Sequence, residues 1–189
     1  MNTTVIIPIH EYNDDLSSYM TKALETVINQ EGIDEIPKII LVYPNELDVN
    51  IVQLRDSLIK KHEGITDKNF VLIKNDGDTD YQSQVNLGVK SVTTDYFSVL
   101  EFDDEYSNTY FKNVENFIKA YPDIDVFLTM MIEVNNNNEG IKMTNETVWA
   151  QQFVGENGEM GFLNLNALKQ YTDFKLSGAV IKKSEFENL

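Results

Sequence analysis

Short apolar runs and longer amphipathic stretches alternate along the chain as far as Pro122. Thr4-Val5-Ile6-Ile7-Pro8-Ile9 is a continuous apolar run bounded by polar residues, and reads as a buried strand. Asn13, Asp14 and Asp15 then offer helix caps, and Leu16, Met20, Ala23, Leu24, Val27 and Ile28 recur at helical spacing. Ile39 to Tyr43 is a second buried strand, entered after Pro37 and ended by Pro44. Ile51, Leu54, Leu58 and Ile59 mark a second helix, and Phe70 to Ile73 a third strand. Asn75-Asp76-Gly77-Asp78 predicts a turn, followed by a helix from about Asp80 to Val92 that packs Tyr81, Val85, Gly88 and Val89. A fourth strand spans Tyr96 to Leu100, and Tyr110, Phe111, Val114, Phe117, Ile118 and Tyr121 line the next helix. Four such alternations predict an α/β fold with a mainly parallel sheet covered on both faces.

The pattern changes after Pro122. Val126 to Val134 reads as one long β-rich run, turning through Asn135-Asn136-Asn137-Asn138-Glu139-Gly140 into Ile141-Lys142-Met143, a hairpin. Gly155, Gly158 and Gly161 mark a flexible loop through Phe153 to Phe162. Leu163 to Tyr171 predicts a short helix, and Leu176 to Ile181 a last strand. No internal repeat and no linker interrupts the 189 residues, so the expectation is a single domain.

Cysteine is absent, which excludes disulfides, thiolate zinc sites and a thiol nucleophile. A reducing cytoplasm suits such a chain, and no apolar segment is long enough to cross a bilayer. The net charge of −16 argues against a nucleic-acid partner, because that affinity comes from Lys and Arg on phosphates. Arg55 is the single arginine, so a phosphorylated ligand would be held by a metal ion, backbone amides or Lys.

One stretch carries chemistry. The apolar run Tyr96 to Leu100 stops at Glu101, Asp103, Asp104 and Glu105, four carboxylates within five residues. A buried strand cannot carry that charge into a core, so the acids belong at its end. Crowded carboxylates are relieved by a cation preferring oxygen ligands, Mg²⁺ or Mn²⁺. Strand ends of an open α/β sheet are also where ligands bind. The alternative is a solvated turn in which Asp103 or Asp104 caps the next segment.

These residues resemble a known family. Val5-Ile6-Ile7-Pro8-Ile9-His10, followed by a helix ending Val27-Ile28-Asn29-Gln30, is similar to the opening of family 2 glycosyltransferases. Val85-Asn86-Leu87-Gly88 resembles their Arg-Asn-x-Gly, and Thr94 to Asp104 their strand leading to Asp-x-Asp-Asp. The resemblance implies a GT-A-like single domain over 1–189. Residues 1–122 would be the nucleotide-sugar-binding half and 123–189 a partial acceptor-side half. It implies metal ligation by Glu101, Asp103 and Asp104, and nucleotide-sugar binding by Pro8, His10, Tyr43, Asp76 and Gln82. Glu11 and Tyr12 are weaker neighbours of His10, and Trp149 is a candidate for an acceptor pocket. The implied reaction moves a sugar from a nucleoside diphosphate to an unknown acceptor hydroxyl, with inversion.

The departures from the family pattern are specific. Where the family's second strand ends in Asp-Asp-Gly-Ser, this chain has Tyr43-Pro44-Asn45-Glu46, so the base-contacting Asp is missing. Tyr43 is expected either to stack on a base in its place or simply to pack at the strand end. Val85 replaces the family's Arg, and Glu101 its first Asp. The resemblance places the acceptor-side general base beyond Leu189, leaving Glu156 and Glu159 as substitutes within these residues. The rival expectation is therefore a catalytically inactive GT-A-like binding or assembly module, or a fragment of a longer protein.

Overall fold

The computed structural model describes residues 2–11, 13–135, 137, 139–144 and 175–186. They divide into two compact units, one of residues 1–127 with 179–189 and one of residues 128–178.

The first unit is built on a six-stranded sheet. Strands β1 (Thr3–Pro8), β2 (Lys38–Pro44), β3 (Phe70–Asn75) and β4 (Tyr96–Val99) are all parallel, in the order β3-β2-β1-β4. All six residues of β1 are buried, as both faces of a parallel sheet demand. Strand β8 (Val180–Lys182) runs antiparallel to β4, and β5 (Val126–Phe127) antiparallel to β8 at the edge.

Alternation along the strands sends side chains to two cores. Val5, Ile7 and Ile9 of the β1 segment and Ile39, Leu41 and Tyr43 of β2 pack with helices α1 (Asp14–Ile28), α2 (Asp48–Lys61) and α4 (Tyr110–Ala120). Ile6, Ile40, Val42, Phe97 and Val99 face the other way, onto Val85 and Val89 of α3 (Tyr81–Lys90). Helix α3 lies close to the sheet because residue 88 is glycine: a Cβ there would stand 2.6 Å from Cγ2 of Ile6. Phe186, on the short α5 (Lys183–Phe186), meets Phe97 edge-on on the same face.

Caps set the helix starts. Asn13 accepts from the Leu16 amide at 2.9 Å, and Asp80 from the Ser83 amide at 2.8 Å. The expected turn after β3 is present as an Asx turn, in which the Asn75 carboxamide accepts from Gly77 N and donates to Asp78 O.

The second unit, where described, is a hairpin of β6 (Met131–Val134) and β7 (Gly140–Thr144). Asn135 makes its turn, accepting from the amides of Asn137 and Glu139. The single run expected from Val126 to Val134 is corrected: β5 pairs with β8 in one sheet, and β6 pairs with β7 in another. The expected last strand, from Leu176 to Ile181, is regular only over β8. The predicted Gly loop and the helix at 163–171 lie outside the described residues.

Candidate functional site at the end of the fourth strand

The chain proceeds from β1 through β2 to β3 in one direction, then returns to place β4 on the other side of β1. That reversal makes the carboxyl ends of β1 and β4 the switch point of the sheet, where open α/β sheets leave a crevice. Ile9-His10-Glu11 leaves β1 there, and Leu100 to Asp104 leaves β4.

The acidic segment is a tight turn, closed by the Asp104 amide donating to Glu101 O at 3.1 Å. Its apolar members fix it. Leu100 is buried and donates its amide to Ile6 O at 2.9 Å, and the Phe102 side chain is buried in the α1 core. Glu101 and Asp104 are half-buried and Asp103 is exposed, so the charges face away from the anchor.

The segment that follows is tied to α1. The Tyr106 amide donates to Oγ1 of Thr26. Gln30 donates to Ser107 O at 2.8 Å and accepts from the Phe111 amide at 3.0 Å. Gln30 of the Asn-Gln pair thus holds both the loop after the acids and the first turn of α4. Beneath the turn, Ser98, Tyr106 and Tyr110 share buried hydroxyl hydrogen bonds, and the two phenol rings stack at 4.0 Å. Burial pushes both phenols well above their ordinary pKa, so they stay neutral.

His10 joins the site. Its ring packs 5.1 Å from that of Phe102, and its Nε2 lies 3.8 Å from a Glu11 carboxylate oxygen. Nearly half of the imidazole side chain is open to solvent. Pro8, by contrast, is buried within the strand.

Two residues that the sequence reading did not single out for this site complete the arrangement. Gln84 is fully buried; its Oε1 accepts from the Ile9 amide at 3.2 Å and its Nε2 donates to Thr79 O at 2.8 Å. It bridges the exit of β1 to the loop entering α3. Tyr81, the first residue of α3, packs against the second core, and its hydroxyl oxygen is buried with no hydrogen-bond partner. Burial, then the charges of Glu101 and Asp104, push this phenol up to about 12. A polar residue inside an apolar helix stripe was the one available signal for Gln84.

The other expected residues stand elsewhere. Asp76 is exposed at the end of β3, two strands from β1, on the order of 10 Å along the sheet. Gln82 is exposed in the first turn of α3. Tyr43 is fully buried and donates to Oδ1 of Asp48 at 2.9 Å, while the other Asp48 oxygen pairs with Lys74 at 2.7 Å. With no ring face exposed, Tyr43 packs at the strand end. Tyr12, Trp149, Glu156 and Glu159 lie outside the described residues.

Among the described residues, no three carboxylate or imidazole groups converge to hold a metal ion. The donor set is nevertheless of the right kind, hard carboxylate oxygens on a turn closed by a backbone hydrogen bond. A cation there would complete its coordination with oxygens from a ligand.

The comparisons with known proteins agree with this fold. The family model for Glycosyl transferase family 2 matches residues 4–178. The chain belongs to that family. Among solved structures, Staphylococcus aureus TarS residues 1–349 with UDP superposes at TM-score 0.67 and 16% identity, covering all of this chain and 48% of that one. The same protein with UDP-GlcNAc gives TM-score 0.63 at 16% identity, covering all of this chain and 47% of that one. The mannosyltransferase PcManGT from Pyrobaculum calidifontis, with GDP-Man and Mn²⁺, gives TM-score 0.55 at 14% identity over 70% of this chain and 36% of that one. No match was found among curated proteins. These likenesses establish a GT-A-like fold, and the chain spans about half the length of the TarS chain it matches.

Proposed function

We propose that this family 2 protein binds a nucleoside-diphosphate sugar at the switch point and transfers the sugar to an acceptor. The observation that carries the reading is the anchored acid turn, Glu101 to Asp104, beside an accessible His10. Asp103, with Glu101 or Asp104, supplies carboxylate oxygens to Mn²⁺ or Mg²⁺, and the diphosphate supplies others. When bound, the cation neutralises charge that develops on the departing diphosphate. His10 flanks the nucleoside from the end of β1, and the β2 end contributes no base-contacting carboxylate. Support comes from the family membership and from neighbours whose structures contain UDP, UDP-GlcNAc, or GDP-Man with Mn²⁺. Inversion would require a second carboxylate to take the acceptor proton. Glu156 and Glu159 are the candidates for it within this chain.

Calorimetric titration of the chain with UDP and GDP, in Mn²⁺ and in EDTA, tests the donor half. Binding that appears only with Mn²⁺ supports the reading, and equal affinity in EDTA refutes the shared-cation site. The packed Tyr43 favours a second reading, a binding module without transfer. Sugar release from UDP- or GDP-sugars in the presence of acceptor distinguishes the two.

A further inference from the structure

Packing does not account for the hydroxyl of Tyr81. Its ring belongs to the apolar layer between α3 and the sheet, a role phenylalanine would fill equally well. Its oxygen is sealed from solvent and lacks a hydrogen-bond partner. A buried hydroxyl left in that state opposes folding. The other such atom among the described residues, Oγ1 of Thr3, lies at the opposite end of β1. Glu101 and Asp104 are the charges that act on Tyr81, and with its pKa pushed up to about 12 the phenol keeps its proton.

We propose that Tyr81 is a positioning residue for the acid turn: with a divalent cation and a diphosphate in place, its hydroxyl donates to a carboxylate oxygen of Glu101 or Asp104. That bond would hold the carboxylate so that its second oxygen faces the cation. The inference rests on the reading that this turn takes a cation. A direct contact with the nucleotide is disfavoured because the oxygen is covered, whereas Glu101 follows by two residues Val99 of the apolar layer against which Tyr81 packs. Hydrogen bonds to the ligands of a metal typically change its affinity by about 10- to 100-fold.

The test is a Mn²⁺ titration in saturating UDP, followed by calorimetry, on the wild-type chain and on Tyr81→Phe, with urea unfolding of both in EDTA. Mn²⁺ affinity should fall roughly tenfold or more in Tyr81→Phe, while its unfolding midpoint stays equal or rises. Unchanged Mn²⁺ affinity in Tyr81→Phe, with a wild type that needs Mn²⁺ to bind UDP, overturns the role of Tyr81 alone. A lowered unfolding midpoint also overturns it, because the hydroxyl would then already be bonded in the metal-free fold. Wild-type UDP binding that is indifferent to Mn²⁺ overturns both the cation reading and this inference.

Discussion

The ends of β2 and β4 lie on the same edge of one sheet, yet they present opposite chemistry. At β4 the apolar residues Leu100 and Phe102 are driven inward, and the carboxylates beside them are left at the edge. At β2 the polar groups satisfy one another: Tyr43 donates to Asp48, and Asp48 pairs with Lys74. One strand end leaves the exposed carboxylate of Asp103 at the edge, and the other has closed on itself. A nucleotide bound here would draw its affinity from the diphosphate side more than from the base.

Phe102→Ala should have the largest effect, because it removes the anchor of the open end. The buried ring makes the change cost about 3 kcal/mol, the lower end for Phe→Ala since a turn can partly collapse. Urea unfolding would show that loss, and Mn²⁺-dependent nucleotide binding should go with it. Asp103→Ala separates the two effects. Asp103 is exposed, so stability should hold within about 0.5 kcal/mol. Calorimetry should nevertheless record a nucleotide affinity in Mn²⁺ lowered by roughly tenfold or more, about 1.4 kcal/mol. Wild-type affinity in Asp103→Ala would erase the contrast between the two strand ends.

The same contrast explains what the sequence made legible. Strands β1 to β4 announced themselves because parallel strands covered on both faces must be continuously apolar. The acid turn was legible because charge cannot follow a strand into a core. The run from Val126 to Val134 misled because apolar β-formers record strand preference but not partners. Ile132 and Val134 are more than half exposed, in a hairpin separate from the main sheet. Tyr81 and Gln84 were opaque as site residues for another reason. Each is coupled to a group distant in sequence: the charges of Glu101 and Asp104 raise the pKa of the first, and the Ile9 amide donates to the second. The fate of Tyr43 likewise depended on Asp48 lying within reach, which α2 decides.

Tyr43→Phe sharpens the comparison from the closed side. The ring stays packed and one hydrogen bond is lost, for about 0.5–1.5 kcal/mol in urea unfolding. Affinities for UDP and GDP in Mn²⁺ should stay within about twofold of wild type, less than 0.5 kcal/mol. A tenfold loss for either nucleotide would mean that the β2 end takes part in binding after all.

The smallest effect lies in the acid limb of the stability curve. The Lys74 ammonium, and after it the Tyr43 hydroxyl, hold the Asp48 carboxyl below its ordinary pKa. A carboxyl whose pKa is depressed in the folded state stabilises the fold above its unfolded value, about 3.9, and loses that contribution as pH falls through the folded value. Lys74→Met should therefore be slightly less stable than wild type near neutrality, and the gap should close on acidification below about pH 4. Glu25 is also depressed, chiefly by Lys61, but this pair is common to both proteins and cancels in the difference. Half of Lys74 and about a third of Asp48 are exposed, so solvent screens the pair and the gap should shrink in about 1 M salt. Urea midpoints of the two proteins, compared at about pH 3 and about pH 7, measure it. A gap that widens on acidification would show that Lys74 does not stabilise the ionised Asp48. The β2 end would then be closed by the Tyr43–Asp48 hydrogen bond without help from Lys74.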